Sequence, residues 1–283
     1  MNVGNPSRKL KELHVKAALK RGEVLIGTFV LEFAGSAIAT LLASAGADFI
    51  IADLEHSSFS IETIGRTIRN ARGSNLSCIV RVPALERHFV SRVLDAGATG
   101  VMIPRVESCE DIEKIKKWTK YAPEGDRGVA FGIGHTDYGD FTKLDTREYV
   151  RNANQEILTI GQIETLQAVE NLNEILEAGE LDVVFIGPYD LSTSMGISGE
   201  LNHPLLLEAI KNIINLTQTH NIPLGCYVND FEGGEQWLNL GVQLIACGND
   251  AFLITRKFAE EHQKFKNAVS DSDRSKRITD PQI

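Results

Sequence analysis

Short apolar segments alternate with longer amphipathic ones along most of the chain. The apolar segments are rich in Val, Ile and Leu and lack the regular polar–apolar alternation of a half-exposed strand, which is typical of parallel strands buried on both faces. They predict eight β-strands, at residues 24–30, 48–53, 77–82, 100–106, 157–164, 182–187, 222–228 and 242–247.

The segments between these strands have the spacing of amphipathic helices, for example at 61–72, 87–97, 166–179 and 204–221. Several of them end in Gly or Asn, which often follow the last turn of a helix. Alternation of strand and helix repeated eight times predicts an α/β fold, a (β/α)8 TIM barrel, in preference to an open doubly wound sheet. The first predicted strand is not followed by a G-x-G-x-x-G segment, which disfavours a dinucleotide site.

The barrel pattern extends over residues 21–269, so we predict one catalytic domain with that span. Residues 1–20 are expected to form an N-terminal extension, and the polar segment 270–283 is expected to be a disordered tail. The segment 121–146 is rich in Gly, Asp and Tyr and is too long for a simple connection. We therefore expect it to form a functional loop over one end of the barrel.

Composition and charge narrow the classes of partner. The formal net charge of −9 argues against nucleic acid, whose binding usually depends on a clustered positive surface. Every apolar run is shorter than the ~20 residues of a membrane span, and the first residues lack the apolar stretch of a secretory signal. We therefore expect a cytoplasmic protein with no membrane partner.

The cysteines have no C-x-x-C spacing and are expected to be reduced core residues (Cys78, Cys109, Cys226 and Cys247).

Two carboxylates follow neighbouring predicted strands. In a barrel of this kind, catalytic groups lie at the C-terminal ends of the strands, and Glu164 and Asp190 follow the fifth and sixth strands. Such a pair suits a hard divalent cation such as Mg²⁺ or Mn²⁺, which binds carboxylate, water and substrate oxygens. The alternative is that Glu164 caps the helix at 165–178 and Asp190 caps a short turn.

A histidine follows the second strand three residues after Asp53. We expect the Asp53 carboxylate to orient the imidazole of His56 and raise its basicity, as a general base requires. The alternative is that His56 is a structural loop residue.

A charged residue, Arg81, interrupts the apolar third strand. A buried guanidinium needs either a negative partner or a substrate that becomes negative, and the alternative to a catalytic role is an internal salt bridge with Asp53 or Glu55. Asp95 and Glu107 are further candidates, and each fits equally well as a charge at the end of a helix or in a loop.

These residues lie in segments that resemble the HpcH/HpaI aldolase family, the metal-dependent class II pyruvate aldolases. The resemblance extends over most of residues 20–268 and agrees in order, content and strand placement. It is carried by the segments at 48–60, 79–83, 94–108, 162–176 and 183–196.

The resemblance implies a metal site and a substrate. Glu164 and Asp190 would bind the divalent metal, Mg²⁺ or Mn²⁺ with Co²⁺ as a further option, and a pyruvate-type 2-oxo acid would chelate it through its carboxylate and keto oxygens. Arg81 would face the keto oxygen. The family also implies a homo-oligomer, a hexamer or trimer of dimers, in which the C-terminal helix at 251–269 packs on a neighbouring subunit; an ordinary barrel helix within one chain is the alternative.

The implied reaction is reversible aldol cleavage of a 4-hydroxy-2-oxo acid to pyruvate and an aldehyde through a pyruvate enolate. His56 paired with Asp53 would be the acid/base, and Gln162 with the backbone near Tyr189 and Asp190 would help to hold pyruvate. Tyr189 departs from the family, which usually has a small residue there, so we expect it to narrow the pocket or to reach the acceptor. The alternatives are a CoA-thioester lyase of the malyl-CoA or citrate-lyase type, a citrate-like condensation, a decarboxylation, or a non-catalytic 2-oxo-acid-binding barrel.

Overall fold

Eight parallel strands close into a barrel in the computed structural model, which describes residues 14–271. Each strand pairs with the next along the chain, and the first pairs with the last. The predicted (β/α)8 barrel is therefore confirmed, with every predicted strand present. The strands are β1 Leu25–Val30, β2 Phe49–Asp53, β3 Ser77–Arg81, β4 Gly100–Ile103, β5 Leu158–Ile163, β6 Val183–Ile186, β7 Leu224–Val228 and β8 Leu244–Asn249.

Helices follow the strands around the outside of the barrel. The predicted helix at 166–179 is divided at Asn171 into two short helices, while the other predicted examples are continuous. The helices are α1 His14–Lys20, α2 Ile38–Ser44, α3 Ile61–Gly73, α4 Arg87–Asp95, α5 Cys109–Thr119, α6 Thr146–Glu156, α7 Leu166–Glu170, α8 Leu172–Glu177, α9 Pro188–Ser194, α10 Pro204–Thr219, α11 Phe231–Asn239 and α12 Asp250–Asp271. Two 3₁₀ turns, at Gly134–Thr136 and Phe141–Lys143, lie between α5 and α6.

The core has two layers because side chains of a strand point alternately inward and outward. One layer packs the strands against the surrounding helices, and the other fills the barrel with residues such as Phe49, Ile51 and Met102. The first helix belongs to this inner layer: Val15, Ala18 and Leu19 of α1 are buried with it. The described part of the predicted N-terminal extension thus helps to close the barrel. The expected disordered tail lies outside the described residues from 272 onward.

The long segment at 121–146 lies at the N-terminal end of the strands. There, Asp137 accepts a hydrogen bond from Arg72, in the last turn of α3, and Arg127 forms an ion pair with Asp95, the last residue of α4. Helices that follow barrel strands run back toward the strands' N-terminal ends, so the segment covers the end opposite the one where such barrels carry their active sites. It does lie over one end of the barrel, as expected, and its function stays a prediction.

The last helix projects from the barrel wall. From Leu253 to Val269, every residue except Glu261 is exposed, including an apolar stripe of Ile254, Phe258, Phe265 and Val269. The outward-facing Ile26 of β1 is also 52% exposed, although outward side chains of barrel strands are normally covered by a helix. In the described residues, this part of α12 therefore does not bury a side against the barrel, and whether it packs on a neighbouring subunit stays a prediction.

None of the described helices is both long and apolar enough to cross a membrane. All four cysteines are free thiols, as expected. Cys78 and Cys226 are buried in the core, whereas Cys109, the first residue of α5, and Cys247, inside β8, are partly exposed.

Candidate active site

The C-terminal ends of the strands open into a cavity of roughly 170 Å³. Most of its lining residues follow or end β1, β3, β5, β6 and β7, as the architecture requires. Four of the predicted site residues line it: Arg81, Gln162, Tyr189 and Asp190.

Glu164 follows β5 and is 4% exposed. Its Oε1 accepts a hydrogen bond from the backbone N–H of Arg105 at 2.9 Å, and its Oε2 accepts one from Nε2 of Gln162 at 2.8 Å. The side chain that caps α7 is that of Thr165, whose hydroxyl accepts the N–H of Ala168. The alternative that Glu164 is a helix cap is therefore wrong.

Asp190 lies in the first turn of α9, directly after β6. Strands β5 and β6 are paired in parallel with Ile163 opposite Ile186, so the predicted adjacency of the two strand ends is confirmed. The N-cap of α9 is Gly187, so Asp190 does not cap that helix.

Burial raises the pKa of Glu164 to about 7. The negative charges of Asp190 and Glu55 contribute to this rise, whereas the Arg105 N–H and the Arg81 charge lower the pKa and so limit it. Glu164 and Asp190 therefore lie within electrostatic range of each other. A nearby cation would stabilise the ionised form of a buried carboxylate such as Glu164.

The oxygen atoms near Glu164 fit a hard divalent cation. Oε1 of Gln162 is buried and has no hydrogen-bond partner among the described residues, although a buried amide oxygen normally has one. An amide oxygen and two carboxylates are ligands that Mg²⁺ and Mn²⁺ prefer, with substrate and water oxygens completing the shell. The described residues contain no cluster of three or more His, Cys, Asp or Glu side chains placed to hold a metal, so a cation here would depend on this smaller set.

Arg81 forms a bidentate ion pair with Asp53. Its Nε lies 2.7 Å from Oδ1 and its terminal nitrogen 2.7 Å from Oδ2, and Glu55 lies 3.2 Å from the other terminal nitrogen. Burial disfavours the charged guanidinium, but the bonds to Asp53 and the charge of Glu55 outweigh it and raise the pKa of Arg81. The internal salt bridge considered as an alternative is thus present, while Arg81 also lines the cavity.

The structure corrects the expected pairing of Asp53 with the imidazole. Both carboxylate oxygens of Asp53 are engaged by Arg81 and by the backbone N–H groups of Glu55 and His56, at 3.0 and 3.1 Å. The imidazole Nε2 of His56 instead lies 3.6 Å from Oε2 of Glu55, and its side chain is 59% exposed. Asp53 therefore positions the loop that carries His56 through the backbone.

Asp95 does not join the other candidates. It ends α4, at the N-terminal end of the barrel, and pairs with Arg127 at 2.8 Å. A helix that follows a barrel strand runs back toward the N-terminal ends of the strands. Asp95, at the end of such a helix, therefore lies far from the candidates at the C-terminal ends of the strands, which form the mouth of the barrel.

Several residues at the mouth were not predicted. Phe29, Phe185 and Tyr227 line the cavity, and Asp250 accepts backbone N–H bonds from residues 31–33, which hold the loop after β1. Asp250 directly follows β8, and the signal for it in the sequence is an acidic residue three positions after the last predicted strand, which ends at 247.

Comparison with known proteins gives consistent matches. The profile of a family described as HpcH/HpaI aldolase/citrate lyase matches residues 26–256. The chain is 31% identical over 259 residues to a hydroxypyruvate/pyruvate aldolase of Paraburkholderia phytofirmans, covering 89% of this chain and 97% of the relative. It is 32% identical over 253 residues to a 5-keto-4-deoxy-D-glucarate aldolase of Shigella boydii serotype 18, covering 88% and 96%.

Two solved structures are similar over nearly the same length. An HpcH/HpaI aldolase from Desulfitobacterium hafniense DCB-2 is 30% identical with a TM-score of 0.84, covering 89% of this chain and 96% of that one. The citrate synthase SbnG is 26% identical with a TM-score of 0.80, covering 92% and 100%. Both an aldolase and a synthase therefore share this barrel.

Proposed function

The chain belongs to the HpcH/HpaI aldolase/citrate lyase family, and from this premise we propose that it is a divalent-metal-dependent lyase that reversibly cleaves a 4-hydroxy-2-oxo acid into pyruvate and an aldehyde. One observation carries the proposal. A buried carboxylate, Glu164, lies beside the unsatisfied oxygen of Gln162 and within electrostatic range of Asp190 and Arg81 at the barrel mouth.

Glu164 and Asp190 would hold the cation, with Oε1 of Gln162 as a neighbouring oxygen donor. Mg²⁺ and Mn²⁺ suit these oxygen ligands best, and Co²⁺ is a further option. The bound cation supplies positive charge that stabilises the negative oxygen developing on the 2-oxo acid.

The residues around the metal ligands supply the remaining chemistry. In cleavage, His56 removes the proton from the 4-hydroxyl, the bond between C3 and C4 breaks, and its electron pair passes into the enolate as the aldehyde leaves. C3 then takes up a proton to become the methyl group of pyruvate. Arg81 faces the keto oxygen with a guanidinium that Asp53 fixes in place.

The proposal is tested by the exchange of pyruvate methyl protons in D₂O, followed by NMR. This exchange needs enolate formation and no acceptor aldehyde. We expect it to occur with Mg²⁺ or Mn²⁺, to stop when the metal is chelated and to return when the metal is restored. Exchange that continues in the presence of the chelator would contradict the proposal.

Gly187 leaves space for the Glu164 carboxylate. A Cβ at this position would lie 2.7 Å from Oε2 and 2.9 Å from Cβ of Glu164, so the side chain would have to move. We expect Gly187→Ala to weaken Mn²⁺ binding by about 10- to 100-fold, the usual cost of disturbing groups that support a metal ligand. Mn²⁺ titration followed by electron paramagnetic resonance measures the effect.

Gly73→Ala is the matched control for this substitution. Gly73 ends α3, and an added Cβ there would meet no atom within 4 Å. We expect its Mn²⁺ affinity to equal that of the wild type. Equal affinity in Gly187→Ala would show that the placement of Glu164 is unimportant for the metal.

The similarity to a citrate synthase favours a second candidate, a condensation that forms a citrate-like product. Both reactions pass through an enolate, so product analysis distinguishes them. Incubation of pyruvate with aldehydes yields 4-hydroxy-2-oxo acids for the lyase, and incubation with 2-oxo diacids yields a tricarboxylate for the synthase. Parallel reactions with and without CoA separate the thioester lyases from both.

We also propose that the protein is a homo-oligomer, a hexamer or trimer of dimers, in which α12 packs on a neighbouring copy. Ile254, Phe258, Phe265 and Val269 lie on one face of α12, because their spacing keeps them within a narrow arc of a 3.6-residue helix. The exposed outer side of β1 around Ile26 is an apolar surface of the kind that such a stripe would cover.

We expect the double substitution Phe258→Ser and Phe265→Ser to dissociate the oligomer. These rings are 71% and 73% exposed in the single chain, so replacing them should change the stability of the folded chain little. The proposed interface, in contrast, would lose two apolar contacts. Size-exclusion chromatography with light scattering measures the mass. Leu207→Ser, at a half-exposed leucine of α10, is the control and keeps the wild-type mass; a monomeric wild type would refute this proposal.

A further inference from the structure

The loop that follows β4 contains a backbone conformation that is rare for its residue type. Arg105 has a φ of 50°, in the left-handed region. Most of the other non-glycine residues with positive φ in the described part of the chain are Asn or Asp, which tolerate this region better than a long side chain does. Such a conformation costs free energy, and it persists where the surrounding structure fixes it, often at a functional site.

Two successive backbone N–H groups of this loop donate to residues at the end of β5. The N–H of Arg105 donates to Oε1 of Glu164 at 2.9 Å, and the N–H of Val106 donates to the carbonyl oxygen of Gln162 at 3.1 Å. In extended backbone, successive N–H groups point to opposite sides, so the chain must turn at Arg105 for both groups to face β5. We propose that Arg105 is a positioning residue whose left-handed backbone fixes the carboxylate of Glu164 for the cation. The inference rests on the proposed function, because it concerns a proposed metal ligand.

The neighbours of Arg105 hold it in this conformation. Pro104 and Val106 are buried, whereas the side chain of Arg105 is exposed. Further along the loop, the carbonyl oxygen of Glu107 accepts a hydrogen bond from Nδ2 of Asn171, between α7 and α8, at 2.8 Å. The loop is therefore fixed on both sides of Arg105, and the backbone cannot relax there without moving these contacts.

The backbone of Arg105, rather than its side chain, acts on Glu164. The guanidinium is 66% exposed and lies 3.2 Å from Oε1 of Glu107, and an exposed ion pair of this kind stabilises the folded chain little. The N–H bond to a carboxylate is a stronger and more directional interaction. With Oε1 held by Arg105 and Oε2 held by Gln162, the Glu164 carboxylate is already ordered before the cation arrives, which lowers the entropic cost of binding.

Substitutions that differ in the backbone conformations they allow at position 105 test the inference. Arg105→Val introduces a β-branched residue, which disfavours the left-handed region, whereas Arg105→Gly removes the side chain and adopts that region freely. We expect the affinity for Mn²⁺, measured by electron paramagnetic resonance, to fall by about 10-fold or more in Arg105→Val. In Arg105→Gly it should stay within about 2-fold of the wild type, because the N–H keeps its direction.

Asn221→Val is the matched control. Asn221 has a φ of 54° and lies between α10 and β7, at the N-terminal end of the strands and so far from Glu164. It should lower the midpoint of urea unfolding about as much as Arg105→Val does, and its Mn²⁺ affinity should equal that of the wild type. If Arg105→Val does not fold, Arg105→Ala, which disfavours the left-handed region less, takes its place and should show a smaller loss of affinity.

Wild-type affinity in both Arg105→Val and Arg105→Ala would overturn the inference, and so would a loss in Arg105→Gly as large as that in Arg105→Val. In either case, Mn²⁺ binding that is weakened in Glu164→Gln would still support the proposed function. If Mn²⁺ does not bind to the wild type, or binds equally well to Glu164→Gln, the metal site of the proposed function fails, and this inference fails with it.

Discussion

Glu164→Gln should slow metal-dependent exchange of pyruvate methyl protons by about 100- to 1,000-fold, the usual effect of removing one preorganised group that stabilises a developing oxyanion. The substitution keeps the shape of the side chain and an oxygen that accepts the Arg105 N–H, but it removes the charge that attracts the cation. NMR in D₂O with saturating Mg²⁺ measures the rate.

Unfolding cannot account for the slower exchange, because the substitution removes the free-energy cost of burying an ionised carboxylate. Burial raises the pKa of Glu164 to about 7, so its ionisation opposes folding as the pH rises from 4.5, the value of an unperturbed glutamate, through 7. We expect metal-free Glu164→Gln to be at least as stable as the wild type at pH 8. Glu62→Gln, at an exposed glutamate of α3, serves as the control with unchanged exchange; wild-type exchange rates in Glu164→Gln would remove Glu164 from the mechanism.

Arg81→Met should lower the free energy of unfolding by about 3–5 kcal/mol, because it leaves the Asp53 carboxylate buried without its partner. Asp53 is fully buried, and both of its oxygens bond to Arg81. Urea unfolding measures the loss. Arg66→Met, which removes an exposed pair with Glu62, should change stability far less, since surface pairs are screened by water.

The double variant Arg81→Met with Asp53→Asn separates the structural role of Arg81 from its chemical one. Removing the unpaired buried charge of Asp53 should recover part of the free energy of unfolding. Pyruvate exchange should stay low, because no guanidinium faces the keto oxygen. Recovery of exchange along with stability would mean that Arg81 acts only as a structural partner of Asp53.

The barrel could be predicted from the sequence because its strands are buried on both faces and are therefore almost continuously apolar. The order of strands around a barrel follows chain order, which is why Glu164 and Asp190 were expected at neighbouring strand ends. The same reasoning put Arg81 near Asp53, since β2 and β3 pair with these residues opposite each other.

The direction of side chains could not be predicted in the same way. Spacing placed His56 near Asp53 but did not show that Arg81 and two backbone N–H groups occupy the Asp53 oxygens. A segment of unusual composition at 121–146 gave no sign of which end of the barrel it covers. Tyr227, in an apolar strand, was indistinguishable from a core residue until the cavity was defined.

The position of the cation is the central claim, and anomalous scattering from crystals soaked with Mn²⁺ and pyruvate tests it most directly. The account predicts one anomalous peak per chain at the barrel mouth, bound by the carboxylates of both Glu164 and Asp190. A peak bound elsewhere, or no peak at these residues in Mn²⁺-saturated crystals, would contradict it.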